Sequence, residues 1–374
     1  MPSPPKKKKL PQNPQNRPQE PQKPKTTKPP QKLKKSSEDA LPSPTNDGEA
    51  VQSTPEVWNP HTHGLSVSGL QLWLVDRVAF HTSYLMNLEE VLPWRKELAY
   101  GNLFGSALEG WVKTKTQTGL SRFLQQEYKK QTSEHGYSED ISWWAKLAGA
   151  QAEQFVALYE NDKSIPLTAC TSAERNIRVE VPLPSGRSIT MNCYLDAEGD
   201  GFIFEGKCRG DWDCDKIMES IHLDLQYNYY LFAYYSESGI LPKKVWYQHS
   251  RRPGGFAYRG PRQKKSETRD EYQERVKQHM QENPDYYFFR FITRPQLTEV
   301  QKFTHACLYP VLEAFLDWYT YVTGPYLKGE PNHCHWMTPY GLYNPFLEGY
   351  GERYRNYRLT GSTIGLRQKP HSPR

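Results

Sequence analysis

The sequence predicts an α/β fold, and three observations carry that expectation. Short apolar runs bounded by Gly, Pro, Asp and Ser turn signals recur between residues 174 and 293. Stretches with helical apolar spacing lie before, between and after them. At the centre, Ile189–Leu195, then Ala-Glu-Gly-Asp-Gly, then Phe202–Phe204 reads as a β-hairpin with Gly and Asp where positive φ is needed. The 374 residues suffice for one large α/β domain or two smaller ones.

Residues 1–55 are rich in Pro, Lys, Gln and Ser, with few large apolar side chains, and are expected to be a disordered tail. They hold eleven Lys or Arg and five Asp or Glu, which accounts for the whole net charge of +6. A balanced body must bind a polyanion through a local patch. The run from Lys6 to Lys9 fits a nuclear address, and more simply a solvated polycation with weak nucleic-acid affinity. Six scattered cysteines without a CxxC pair suggest a reducing, cytoplasmic compartment, or the nucleus if the lysine run is an address. No apolar run approaches the ~20 residues that span a bilayer, so no membrane partner is expected.

Folding is expected to start near Leu65, where Leu65-Ser66-Val67-Ser68-Gly69-Leu70 leads into a serine-capped helix. Leu98–Val112 reads as a helix whose Gly101, Gly105 and Ser106 suggest close packing against a neighbour. Residues 120–163 read as helices anchored by Trp143, Trp144, Leu147, Phe155, Val156 and Leu158. Strands are expected at Glu174–Val181 and Ser188–Leu195, around a Pro184–Gly186 turn. Beyond the hairpin come a charged loop at Arg209–Asp215, a long helix at Lys216–Tyr235 and a strand at Lys243–Tyr247. Residues 250–266 read as a flexible loop carrying Arg251, Arg252, Arg259, Arg262, Lys264 and Lys265 beside Phe256 and Tyr258. Cations beside aromatics suit phosphate tracking and base stacking, with a plain solvated loop as the alternative. A helix at Arg269–Glu282, a strand at Tyr286–Thr293 and an amphipathic helix at Gln296–Thr323 complete a domain of residues 56–325, followed by an extension of residues 326–374.

The hairpin carries the chemistry. With the turn centred on Gly199 and Asp200, Asp196 lies opposite Ile203 and becomes the diagonal neighbour of Glu205. Glu205 and Lys207, two apart on a strand, share that face. Two carboxylates and a lysine on a sheet face fit a hard divalent cation with oxygen ligands and several waters. Such an ion polarises a phosphoryl oxygen and acidifies water, and a lysine beside it can steady developing charge. Gln226 and Tyr230 stand at i and i+4 on the following helix. A calcium loop nearly matches from Asp196 through Gly201, but its twelfth position is Lys207, where a bidentate Glu is required. Alternating charge on a solvated strand is the plain alternative for Glu205 and Lys207.

Asp196, then Glu205-Gly206-Lys207, then Gln226 and Tyr230 resembles, in that order, the PD-(D/E)XK nuclease superfamily in its RecB-like and phage-exonuclease-type branch. The resemblance covers about residues 65–325 and includes the Ser-X-Ser-X-Leu opening at Ser66. It implies a restriction-endonuclease-like core, with a mixed sheet flanked by helices. It also implies Mg²⁺- or Mn²⁺-dependent hydrolysis of DNA phosphodiester bonds. Asp196 and Glu205 would be the main ligands, with the carbonyl of Gly206 contributing. Lys207 would orient the attacking water, and Gln226 and Tyr230 would shape the site or hold phosphate. Gly105 followed by Glu109 is similar to the phage-type pattern and implies Glu109 as a further ligand or outer carboxylate. Glu174 has a counterpart at the start of its strand in many relatives. Members with an iron–sulfur cluster have a cysteine where this chain has Asp76, and three more in a segment where it has only Cys334, so no cluster is expected. The resemblance favours an exonuclease acting in recombination, repair or phage DNA processing. An endonuclease with the same site and a non-catalytic nucleic-acid-binding module are the alternatives. Implied partners are DNA, a single-strand annealing protein and further copies of the chain.

Overall fold

The computed structural model describes residues 58–90, 94–163, 167–210, 213–253, 262–324 and 366–368. The chain divides into two units, Met1–Ser53 and Thr54–Arg374, and every described residue belongs to the second. The sequence expectations for residues 1–55, for Arg259 and for Cys334 therefore lie outside the described residues.

The second unit is α/β, with a mixed sheet between two helical layers. Its strands are β1 (Leu65–Ser66), β3 (Cys170–Pro182), β4 (Ser188–Gly199), β5 (Phe202–Arg209), β6 (Lys244–Arg251) and β7 (Phe288–Thr293). A separate short strand, β2 (Leu88–Glu90), pairs antiparallel with β8 (Leu366–Gln368). β4 runs antiparallel to β3 on one edge, and its other edge is shared. β1 pairs parallel there at Met191 and Asn192, and β5 pairs antiparallel near the hairpin turn. β5 then pairs parallel with β6, and β6 antiparallel with β7.

Period-two alternation divides the apolar side chains between two cores. Phe202, Phe204, Trp246 and Phe288 face a layer built from α3 (Lys96–Thr114), α4 (Gln117–His135), α5 (Glu139–Tyr159), α8 (Arg269–Glu282) and α9 (Pro284–Tyr287). Ile203, Val245, Tyr247 and the odd residues Ile189 to Leu195 face the other layer. That layer holds α1 (Val67–Val75), α2 (Arg77–Phe80), α7 (Leu225–Ser238), α10 (Leu297–Phe303) and α11 (Tyr309–Thr323). Ser66 caps α1 as its composition suggests, accepting from the Gly69 N–H at 3.1 Å. The Tyr229 hydroxyl donates to the Leu65 carbonyl, which ties α7 to β1.

Four expectations need correction. The helix expected over Lys216–Tyr235 is two, α6 (Cys214–Ser220) and α7, because the Asp224 carboxylate caps a new start by accepting from the Tyr227 N–H at 2.8 Å. The strand expected from Tyr286 begins at Phe288, since Pro284 at the first helical positions opens the short helix α9. Between α10 and α11 a π turn over Thr304–Leu308 precedes Pro310, which has no N–H to donate. Gly101 and Gly105 do not pack against a neighbour, because a Cβ added at either meets nothing within 4 Å. Gly110 is the close-contact position on α3, where an added Cβ would lie 2.5 Å from the Gly119 carbonyl of α4.

Candidate active site

The hairpin turn is Asp200-Gly201, with Gly201 at φ 74°, so the register differs by two residues from the one read from sequence. Ala197 pairs with Phe204, and pairing between β4 and β5 stops there. Asp196 and Glu205 are the next two residues, at the point where the strands fork. They are cross-fork neighbours rather than a diagonal pair, and they do not share a face: Glu205 follows Ile203 to the α7 side, whereas Asp196 opens with Asn192 and Tyr194 into the cleft lined by α3. β4 also reverses its faces here, because Ala197 packs in the first core and Leu195 in the second. Across β4, Glu174 of β3 lies between the pairs Ala173–Ala197 and Arg175–Leu195 with φ 54°. A non-glycine residue in that region stores strain, and such strain gathers at functional sites.

The fork leaves the N–H of Gly206 facing Asp196, whose Oδ2 accepts from it at 2.7 Å. The Glu205 side chain is buried at 2% exposure and meets α7. Gln226 Nε2 donates to Glu205 Oε1 at 2.8 Å and to the Tyr230 hydroxyl at 3.0 Å. Lys207 Nζ lies 2.5 Å from the same Glu205 oxygen and donates to Gln226 Oε1 at 3.1 Å. The sequence-nominated Glu205, Lys207, Gln226 and Tyr230 thus form one hydrogen-bonded network, with Asp196 beside it on Gly206.

Burial sets the electrostatics. Glu205 is pushed up to about 8, first by burial and then by the Asp196 carboxylate. Burial raises Asp196 as well, opposed by Lys207 and by the Gly206 N–H. Burial acts to lower Lys207, but Glu205 and Asp196 outweigh it, and the ammonium is held above its ordinary value. Tyr230 is raised by burial and by Glu205, so it stays a neutral phenol.

These groups fit a divalent cation. The Asp196 carboxylate raises the proton affinity of the buried Glu205, whose Oε2 has no hydrogen-bond partner among the described residues. Mg²⁺ is commonly held by one or two carboxylates, with waters and phosphate oxygens filling the other positions. Among the described residues no group of three His, Cys, Asp or Glu side chains is close enough to hold a metal. Glu109 lines the same cleft as Asp196 but pairs with Lys113 at 2.5 Å, so it is not gathered into the pair. Asp76, where cluster-bearing nucleases have cysteine, caps α2 by accepting from the Val78 and Ala79 N–H groups at 3.0 Å.

The cleft in front of Asp196 and Gly206 has a volume of about 770 Å³. Asn192, Tyr194 and Asp196 line it from β4, and Gly101, Gly105 and Glu109 from α3. Sequence reading passed over Asn192 and Tyr194. Their signal was the period-two spacing back from Asp196.

The cationic loop is only partly as expected. Ser250 and Arg251 belong to β6. The Arg251 guanidinium lies 4.2 Å from the Tyr286 ring centroid, and Arg252 donates to the Glu97 carbonyl at 2.9 Å. These two arginines are docked on the fold, which a loop of solvated cations would not require. Arg262, Lys264 and Lys265 are exposed, and the Lys264 N–H donates to Glu267.

No family model, curated protein or solved structure matches the chain.

Proposed function

We propose that the chain is a divalent-metal-dependent deoxyribonuclease of the PD-(D/E)XK type, with a restriction-endonuclease-like core and a RecB-like or phage-exonuclease-like mode of action. The observation that carries this reading is the convergence at the strand fork. Five residues spread from position 196 to position 230 meet there in a buried acid–lysine–amide network beside an open cleft. A solvated strand face gives no reason for burying Glu205 with an unpartnered oxygen.

Asp196 and Glu205 would hold Mg²⁺ or Mn²⁺, and the ion would supply polarisation of the phosphoryl oxygen and a more acidic water. The chain's own residues do the rest. Lys207 stays charged through neutral pH and offers an N–H to the reacting water or to a phosphate oxygen. Gln226 holds Glu205 and Lys207 in register by bonding both at once. Tyr230 accepts from the Gln226 amide and fixes its orientation. The Gly206 N–H keeps the Asp196 carboxylate turned to the fork. The exposed cations Arg262, Lys264 and Lys265 would add salt-sensitive contact with the DNA backbone.

The test is digestion of end-labelled linear DNA and closed circular DNA with Mg²⁺, Mn²⁺ or EDTA. Metal-dependent loss of the linear form alone is the expected, exonucleolytic result. Nicking of the circle would assign the same chemistry to an endonuclease. Tight, salt-sensitive binding without cleavage in any metal would replace this reading with that of a binding module.

A further inference from the structure

β3 is an edge strand. Among the described residues it pairs only with β4, so one side of its backbone has no strand partner. Beyond the irregularity at Glu174 the ladder from Arg175 to Pro182 is unbroken, and no proline or lysine interrupts Arg175–Val181. Edge strands that must stay single are commonly blunted by such residues. Ile177 and Val181 face the second core, at 0% and 1% exposure. On the opposite face Asn176, Arg178 and Glu180 are exposed. The Arg178 guanidinium touches the Thr62 carbonyl, and Glu180 accepts from the Ser188 hydroxyl at 2.6 Å, so both bond neutral groups and neither charge is met by an opposite one among the described residues.

We propose that the outer edge of β3 is the interface of a two-fold dimer, in which β3 of a second copy adds antiparallel and the two sheets become continuous. The edge is self-complementary in one register. Side chains directly opposite each other in an antiparallel pair share a face, so a two-fold seam sets even positions against even and odd against odd. Centred on Val179, the seam sets Arg178 of each copy against Glu180 of the other, on the exposed face. It sets Ile177 against Val181 on the other face, where β-branched pairs pack well. Centring on Arg178 or on Glu180 instead opposes like charges on the axis, and centring on Ile177 sets Arg178 against Asn176 and matches no charge. One patch that complements itself is what a two-fold interface requires. A single strand seam is small beside the ~1,600 Å² of a standard interface, so the dimer is expected to dissociate on dilution. The inference does not depend on the reading of the fork.

Sedimentation equilibrium of the full chain tests this over about a hundredfold range of protein concentration. The wild type is expected to pass from the mass of one chain to that of two as concentration rises. Arg178→Glu and Glu180→Arg each set like charges across the seam, and each is expected to weaken dimerisation about tenfold with the folded circular-dichroism spectrum retained. The double variant Arg178→Glu/Glu180→Arg restores both pairs with their signs exchanged, and is expected to dimerise within about threefold of the wild type. Glu180→Arg leaves the contact of Arg178 with Thr62 in place, so it decides the matter if Arg178→Glu folds poorly. A wild type that stays a single chain throughout or assembles in threes overturns the proposal. So does a dimer indifferent to Glu180→Arg, or a double variant that dimerises no better than the single ones. Cleavage is not read in this experiment, so failure of the nuclease reading and failure of the interface are separable.

Discussion

Gln226 is the side chain on which the site closes, because it alone bonds Glu205, Lys207 and Tyr230. Groups that orient metal-site residues without reacting cost ~10–100-fold when removed, and Gln226→Ala is expected to lower kcat by that factor in a steady-state cleavage assay, with KM for DNA little changed. His81 is 4% exposed, and burial pushes its imidazole down to about 4. The unfolded chain takes up this proton below the ordinary value, and the folded chain does so only near 4. The stability is therefore intact at neutral pH and is lost as pH falls through this window, by up to ~3 kcal/mol. Urea unfolding at pH 7 and pH 5 checks this: the drop in midpoint is expected to be smaller in His81→Leu than in the wild type. At this scale much was legible in the sequence. Strand and helix periods put Glu205 with Lys207 and Gln226 with Tyr230, and the nomination of the whole ordered set rested on its resemblance to a known nuclease pattern. The register missed by two, since the positive φ falls on Gly201 rather than Gly199. The docking of Arg251 on Tyr286 was not legible, because it depends on a strand pairing between distant segments.

The helix α3 contrasts two glycine environments that look alike in sequence. Gly105 faces open space, so Gly105→Ala is expected to stabilise the fold by ~0.5–1 kcal/mol through helix propensity alone. Gly110 lies against the Gly119 carbonyl, so Gly110→Ala is expected to cost ~1–3 kcal/mol through overpacking. Chemical denaturation of the two variants separates them by sign. The start of α7 is a second element on which the site depends. Asp224→Ala removes its cap and is expected to cost ~1 kcal/mol, lowering the melting temperature. Element type was largely readable from apolar spacing, whereas the break at Asp224 and the π turn before Pro310 were not. A capping Asp and a wide helical turn change hydrogen bonding without changing the apolar period.

In the whole molecule, two cores grip opposite faces of one mixed sheet, and the site occupies the place where two of its strands part. Pairing order was beyond the sequence, because β1 and β5 share an edge of β4 through contacts far apart in the chain. The layered α/β plan was within reach, since strand-like and helix-like periods alternate along it. The net charge of +6 resides in residues 1–55, and the rest is balanced. Deleting residues 1–55 is expected to leave metal-dependent cleavage largely intact while making DNA binding less steeply salt-dependent, as titrations between low and physiological salt would register. The fork is tested most sharply by the single-turnover cleavage rate of a labelled oligonucleotide by wild type and Lys207→Ala in Mg²⁺, with binding followed in the same samples. The expected result is a rate lower by ~10²–10³-fold at nearly unchanged affinity, the signature of lost charge stabilisation at the reacting phosphate. Cleavage by Lys207→Ala at the wild-type rate would contradict the account.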